Sequence, residues 1–356
     1  MGGVRERQIS RRSAAEHGVV PRIPKNMPSS ESSKVSLVNS TREVPAWKKS
    51  ILNFDFGFKG LMTLAALVVL GIVGLIVAEL IQGSALAWQK FGMHFFFGSD
   101  WDPVSGGFGA LPFIFGTVVS SLVALFIAVP LAVAVAVFVT EMCPRPLRKP
   151  ISYATELLAA IPSVIYGLWA IFVLVPILRV SVEPWLMKYF AWTGLFDGPA
   201  YGIGMLAAGV VLAIMIIPII SSITREVLVV VPQPQREAAL ALGATRWEMI
   251  RMAVLRNARA GIMGAVILGL GRGLGETMAV TMVIGNNPAI AKSLLAPGYT
   301  MASVIANEFN EATSDLHRSA LIEIGLALFI VTIIVNILAG LMVWTVTRGT
   351  PARTNA

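Results

Sequence analysis

Six apolar runs divide this chain and decide what it can fold into: Leu61 to Ile81, Phe113 to Thr140, Leu157 to Val180, Tyr201 to Val231, Ala258 to Ile284 and Ala320 to Thr347. A helix rises about 1.5 Å per residue, so about 20 residues cross a hydrocarbon core about 30 Å thick. Each run reaches that length. None shows the strict alternation of a barrel strand, and backbone groups in lipid must be satisfied within their own segment, so helices are expected. The expected fold class is therefore an all-α polytopic membrane protein with six transmembrane helices. With 56% hydrophobic and 13% charged residues and a mean hydropathy of +0.75, the chain has more apolar surface than a soluble core of its own would bury. Pro130, Pro162, Pro176 and Pro218 fall inside the runs and are expected to kink them.

Basic residues between the runs set an orientation. Arg145, Arg148 and Lys149 follow the second run, and Arg236, Arg246, Arg251 and Arg256 follow the fourth. The connections after the first, third and fifth runs carry Asp100, Asp102, Glu183, Asp197, Glu308, Glu311 and Asp315 with few cations. This places both termini in the cytoplasm. Residues 1–58, basic, proline-bearing and rich in serine from Ser29 to Ser40, read as a disordered cytoplasmic leader rather than a cleavable signal. Residues 59–348 form the six-helix domain with a cytoplasmic loop at 232–257, and 349–356 form a cytoplasmic tail. Glu79, Arg225, Glu226 and Glu323 fall near span ends, where they are expected to reach water.

Several functions are excluded at this stage. Cys143 is the single cysteine and reads as a loop residue. His17, His94 and His317 form no cluster, so neither a metal site nor a catalytic constellation is expected. The formal charge of +8 lies in the connections, where it fits orientation in a bilayer and argues against nucleic acid.

The loop at 232–257 is the most informative connection. From Glu237 to Leu255 it reads EAALALGATRWEMIRMAVL, with Ala238, Ala241, Leu242, Ala244, Trp247, Ile250, Ala253 and Val254 at helical spacing. Gly243 interrupts the pattern and predicts a helix, a turn and a helix. On the residues alone, docking to a partner protein and resting on lipid headgroups stand level. This loop resembles that of binding-protein-dependent ABC importer permeases, which share E-A-A, three residues, G, nine residues, I, one residue, L-P. Glu237, Ala238, Ala239, Gly243 and Leu255 match; Ala253 and Arg256 stand where Ile and Pro are usual. The resemblance implies a type I ABC importer permease fold, with this loop docking an ATPase subunit.

The fifth run holds GLGRGLGETMAVTMVIGN from Gly269 to Asn286. Arg272 and Glu276 are charges in an apolar helix, each costing about 2.5–3.5 kcal/mol at the centre of a span, so a partner or a watery cavity is expected beside them. Four residues apart on one face, they could pair with each other. Two readings follow: the pair fixes helix packing, or Arg272 offers an anion a fork of donors while Glu276 orients it. Thr277 and Thr281 flank the pair. Gly269, Gly271, Gly273 and Gly275 do not form a nucleotide loop, since no Lys-Ser or Lys-Thr follows them, and they offer small-residue faces for close helix packing. Thr117, Ser120, Ser121, Ser163 and Tyr166 read as hydroxyls that bond their own helices.

This segment and Phe108 to Ala132 resemble phosphate importer permeases of the PstC type, and the likeness covers nearly all of 60–347. It implies a substrate path through Arg272, Glu276, Thr277 and Thr281. It also implies a homologous second permease (PstA type), two ATPase subunits (PstB type) that bind ATP and Mg, an extracytoplasmic phosphate-binding protein (PstS type) and a bacterial inner membrane. No cofactor is expected in this chain. A permease for another oxyanion or an amino acid, and the PstA-type subunit itself, are the competing readings.

Overall fold

The computed structural model describes the backbone of residues 46–347 and the side chains of 58–345. Most of the leader and the tail at 349–356 therefore lie outside the described residues. By contact the chain parts into residues 1–67 and 68–356. The described part of the first unit is helix throughout. It opens the helix Ala46–Gly83, which begins inside the expected leader and runs on because no proline interrupts it.

Among the described residues six helices are long and apolar enough to cross a membrane: Phe58–Gly83, Leu111–Met142, Ser163–Thr193, Met205–Val230, Arg246–Leu274 and Asp315–Thr345. We call these the first to sixth spans. Their number agrees with the six apolar runs, and two boundaries differ for chemical reasons. Leu157 does not open the third span. It belongs to a separate helix, Arg145–Ala159, and Pro162, which cannot donate to a preceding turn, divides that helix from Ser163. Pro176 does lie within the third span, where π-helical turns at Ala170–Leu174 and Leu178–Val182 flank it. Pro130 and Pro218 sit inside unbroken helices.

The fifth run departs further. Its helix starts at Arg246 and stops at Leu274, ten residues short of the Ile284 expected from hydropathy. A short helix follows at Met278–Val283, then a turn in which Gly285 (φ 93°) and Asn286 (φ 52°) take left-handed backbone. Gly285 bridges Gly298, and a capping box of Thr300 and Ser303 opens the helix Met301–Glu308.

The centre of the second unit is built on small residues. Ala124, Ala128, Ala132 and Ala136 of the second span recur every four residues on one ridge, and all are buried. That ridge lets the fourth span approach closely. At Gly209 of that span a Cβ would come within 2.5 Å of Val123 Cγ1. The third span adds Ala170 and Leu174, and the short helix Met278–Val283 adds Ala279, Val280 and Val283. Gly167 admits this short helix, since a Cβ there would lie 2.5 Å from Met282 Sδ.

The other end of the bundle, away from the loop at 232–257, is closed by aromatic residues. Strands β1 (Trp101–Asp102) and β2 (Gly107–Phe108) form a two-stranded antiparallel hairpin. Trp101 packs edge-on against Phe113, and Phe108 stacks on His317. Glu308 accepts from Trp101 Nε1 at 2.9 Å and lies 3.1 Å from His317 Nε2. Burial pushes the nearby Tyr299 phenol up to about 12, so it stays protonated while accepting from Asn307 at 3.0 Å.

Candidate functional site

Two features of the fifth span carry the site: the turn that precedes it and the break that ends it. The turn matches the helix, turn and helix expected from the sequence. Gln233–Ala241 forms the first helix, Gly243 turns the chain at φ 86°, and Thr245 caps Arg246 onward through a capping box with Glu248. A Cβ at Gly243 would meet nothing within 4 Å, so glycine serves the left-handed backbone here rather than a close approach. The second helix is not separate. It passes through a π-helical stretch, Ile250–Leu255, and continues into the span. Arg256, standing where proline is usual, leaves that helix uninterrupted.

The turn is clamped to the bundle by a pair of residues that share no local pattern. Arg236 and Glu141 lie 95 positions apart, and their side chains meet at 2.9 Å with 11% and 9% exposure. Arg236 also donates to the carbonyls of Leu228 (2.8 Å) and Val231, two of the groups that the end of the fourth span leaves without helical partners. Asn257 adds bonds to Gln235 (2.7 Å) and to the Ala253 carbonyl. Beneath the turn Met249, Ile250, Ala253 and Val254 are buried. At its tip the apolar residues face outward, Leu242 at 90% and Trp247 at 62% exposure. Glu237, Ala238, Gly243 and Leu242 are exposed there, while Ala239 and Leu255 are half-buried. Glu237 has no hydrogen bond or ion pair among the described residues.

The break lies at the far end of the same span. Arg272 occupies the last helical turn and is exposed, and Glu276 follows in the non-helical stretch. No ion pair joins them among the described residues. The four-residue spacing would stack them only on a continuous helix, and the helix ends at Leu274. Glu276 Oε1 instead accepts from the Ala279 amide at 3.4 Å and so holds the start of Met278–Val283. Thr277 Oγ1 donates to the Gly275 carbonyl (3.3 Å), and Thr281 Oγ1 donates to the Thr277 carbonyl (2.7 Å). Arg272 lines an open groove of about 610 Å³ with Ile219, Gly264, Leu268, Gly271 and Asn336, from the fourth, fifth and sixth spans. The glycines divide by role. At Gly269 a Cβ would lie 2.6 Å from Ile220 Cγ1, which marks a tight contact. Gly271 and Gly273 have nothing within 4 Å, and Gly275 only the Gly271 carbonyl at 3.9 Å.

Two carboxylates lie elsewhere than expected. Glu323 does not reach water: it is 0% exposed on the sixth span, and neither carboxylate oxygen has a partner among the described residues. Its position near a span end suggested solvent, but Met301–Glu308 packs over that part of the helix. Glu183, expected in a loop, is buried in the third span and accepts from the Gly202 amide at 2.9 Å. The hydroxyls of the second span mostly bond their own helix. Thr117 donates to Phe113 and also accepts from the Met301 amide at 2.9 Å, tying down the segment after the break. Among the described residues no cluster of His, Cys, Asp or Glu could hold a metal ion.

Residues 128–347 match the family described as binding-protein-dependent transport system inner membrane component. The chain is 48% identical to the phosphate transport system permease protein PstC of Mesorhizobium japonicum, over 81% of this chain and 89% of the relative. It is 47% identical to PstC of Xylella fastidiosa strain 9a5c, over 83% and 92%. Among solved structures, it resembles a bacterial ABC transporter involved in the import of the acidic polysaccharide alginate, with a TM-score of 0.54 at 17% identity over 83% of this chain and 99% of that one.

Proposed function

The chain belongs to the binding-protein-dependent transport system inner membrane components, within them to the phosphate permeases of the PstC type, and we propose on that premise that it forms one half of the path by which inorganic phosphate is imported. It is a multi-pass membrane protein with the fold of ABC importer permeases. Its setting in this reading is a bacterial inner membrane with both termini in the cytoplasm. A homologous permease of the PstA type completes the path, and two ATPases of the PstB type bind ATP and Mg. A PstS-type protein delivers phosphate from outside.

The observation that carries the coupling mechanism is the unbroken helix from Arg246 to Leu274. One end holds the exposed turn of Leu242, Gly243 and Trp247; the other holds Arg272. At about 1.5 Å per residue the rod is about 43 Å long. Closure of the ATPases on ATP pushes the turn around Glu237, Ala238, Ala239 and Gly243, and the rod carries that displacement to Arg272. Arg272 presents a planar fork of donors to phosphate oxygens. Glu276, Thr277 and Thr281 border the same break, and the negative carboxylate keeps the anion from being held permanently. The exposed apolar tip favours a protein socket, and the clamp through Arg236 and Glu141 makes motion of that socket felt in the second and fourth spans.

The test is uptake of radiolabelled phosphate, sulfate and glutamine by cells lacking their own high-affinity phosphate import and supplied with this chain and its partner subunits. Phosphate alone is expected to enter. Entry of sulfate or glutamine instead would keep the permease and replace its cargo.

A further inference from the structure

A second concentration of cations lies beside the end of the second span. On the helix Arg145–Ala159, Leu147, Ile151, Ala154 and Leu158 share one face, while Arg145, Arg148, Lys149, Ser152 and Glu156 share the other. In a soluble protein the apolar face would turn inward. Here no residue of the helix is buried: Leu147 and Leu158 are exposed, as are Arg148 and Lys149, and the polar face borders a groove of about 320 Å³. A helix with an exposed apolar face beside a cationic one suits the level of lipid headgroups.

Arg148, Lys149 and Glu156 line that groove, with Thr140 of the second span and Arg225 of the fourth. Three cations face one carboxylate, and the carboxylate is taken: Glu156 pairs with Arg225 at 2.7 Å. Arg148 donates through Nη2 to the Thr140 carbonyl at 2.6 Å, which leaves its other N–H groups unassigned. Lys149 has no hydrogen bond or ion pair among the described residues. Thr140 Oγ1 is buried and has no partner among the described residues either, although buried hydroxyls ordinarily find one. Unused donors from an ammonium and a guanidinium around one cavity fit the oxygens of a phosphate group. The groove opens at the end of the bundle that carries the turn, since Thr140 adjoins Glu141, which holds Arg236.

We propose that this groove binds a phosphate group, supplied by the headgroup of an anionic lipid or by free inorganic phosphate. Basic pockets between spans on the cytoplasmic side are suited to such headgroups, and each cation near an anionic surface is worth about a fivefold change in binding. The site is distinct from the groove that Arg272 lines.

The complete importer, stripped of lipid in a zwitterionic detergent, would be titrated with phosphatidylglycerol or phosphatidylcholine and read by native mass spectrometry. Binding of radiolabelled inorganic phosphate would be read by equilibrium dialysis in an Arg272→Gln background, so that the path does not contribute. Lys149→Gln is the decisive variant because Lys149 holds nothing in the fold; Arg148→Gln is the second. Phosphatidylglycerol retained in preference to phosphatidylcholine, and reduced about fivefold by Lys149→Gln, identifies the lipid headgroup. A matching reduction of inorganic phosphate alone identifies the free ion. Unchanged binding of both by both variants would overturn the site.

Discussion

Gly243 and Glu323 show how much a single position decides in this chain. Gly243 holds φ 86° with open space around it, so any replacement acts through the backbone and not through a clash. A β-branched side chain in left-handed backbone costs about 1–2 kcal/mol. Gly243→Val is therefore expected to insert and assemble normally but to lower phosphate-dependent ATP hydrolysis by the importer. Gly243→Asn, which tolerates this conformation, should retain most of it. Normal ATP hydrolysis in Gly243→Val would show that the turn is not the docking element. Glu323 poses a question of burial. Its two oxygens are enclosed without a partner among the described residues, and burying an uncompensated carboxylate is costly. Glu323→Gln keeps the shape and removes the charge, so its thermal midpoint in detergent should equal or exceed the parent's. Glu323→Ala, which leaves a cavity, should fall below it. A lower midpoint for Gln would mean that the carboxylate itself is satisfied by a group outside this chain. Neither position was equally legible. The interruption at Gly243 shows in the amphipathic pattern of 237–255, whereas the burial of Glu323 depends on Met301–Glu308 folding back over the sixth span, which no local pattern announces.

At the scale of elements, length and apolarity are local properties, and they gave the six helices directly. Where a helix stops is decided by contacts. The GLGRGLGE stretch reads as continuous because its apolar content is high, yet the helix ends at Leu274, where glycines weaken it and Glu276 caps the next one. The consequence is chemical: among the described residues Arg272 is left without a carboxylate partner, facing a groove. The Arg236–Glu141 clamp was equally hidden, because its partners lie 95 positions apart, one in the second span and one in the loop at 232–257. It fastens the turn to the ends of the second and fourth spans. Removing one member of a buried pair costs about 3–5 kcal/mol, and here it would also free the carbonyls of Leu228 and Val231. Arg236→Met should therefore lower stability by roughly that much. Arg236→Met with Glu141→Leu should recover part of the loss, as followed by thermal unfolding of the purified importer. Equal losses in the single and double variants would show that the carbonyl bonds, and not the ion pair, hold the turn.

At the scale of the whole molecule the account rests on one mechanical connection. The turn is exposed and apolar, the rod behind it is unbroken, and the rod ends at an arginine that has no ion pair among the described residues and lies beside an open groove. The resemblance of sequence marked both ends in advance through Glu237, Gly243, Arg272 and Glu276, while the continuity between them became visible only in the structure. In the proposed mechanism coupling and substrate contact are separable, because the residues proposed for each lie at opposite ends of the rod. The most direct test reconstitutes the complete importer with its binding protein in liposomes and measures phosphate uptake and ATP hydrolysis together for Arg272→Gln. A charge-assisted hydrogen bond is worth about 1.5–3 kcal/mol, so uptake should fall by about tenfold or more while ATP hydrolysis stimulated by the binding protein persists. Uptake at the parent rate in Arg272→Gln would contradict the assignment of Arg272 to the path.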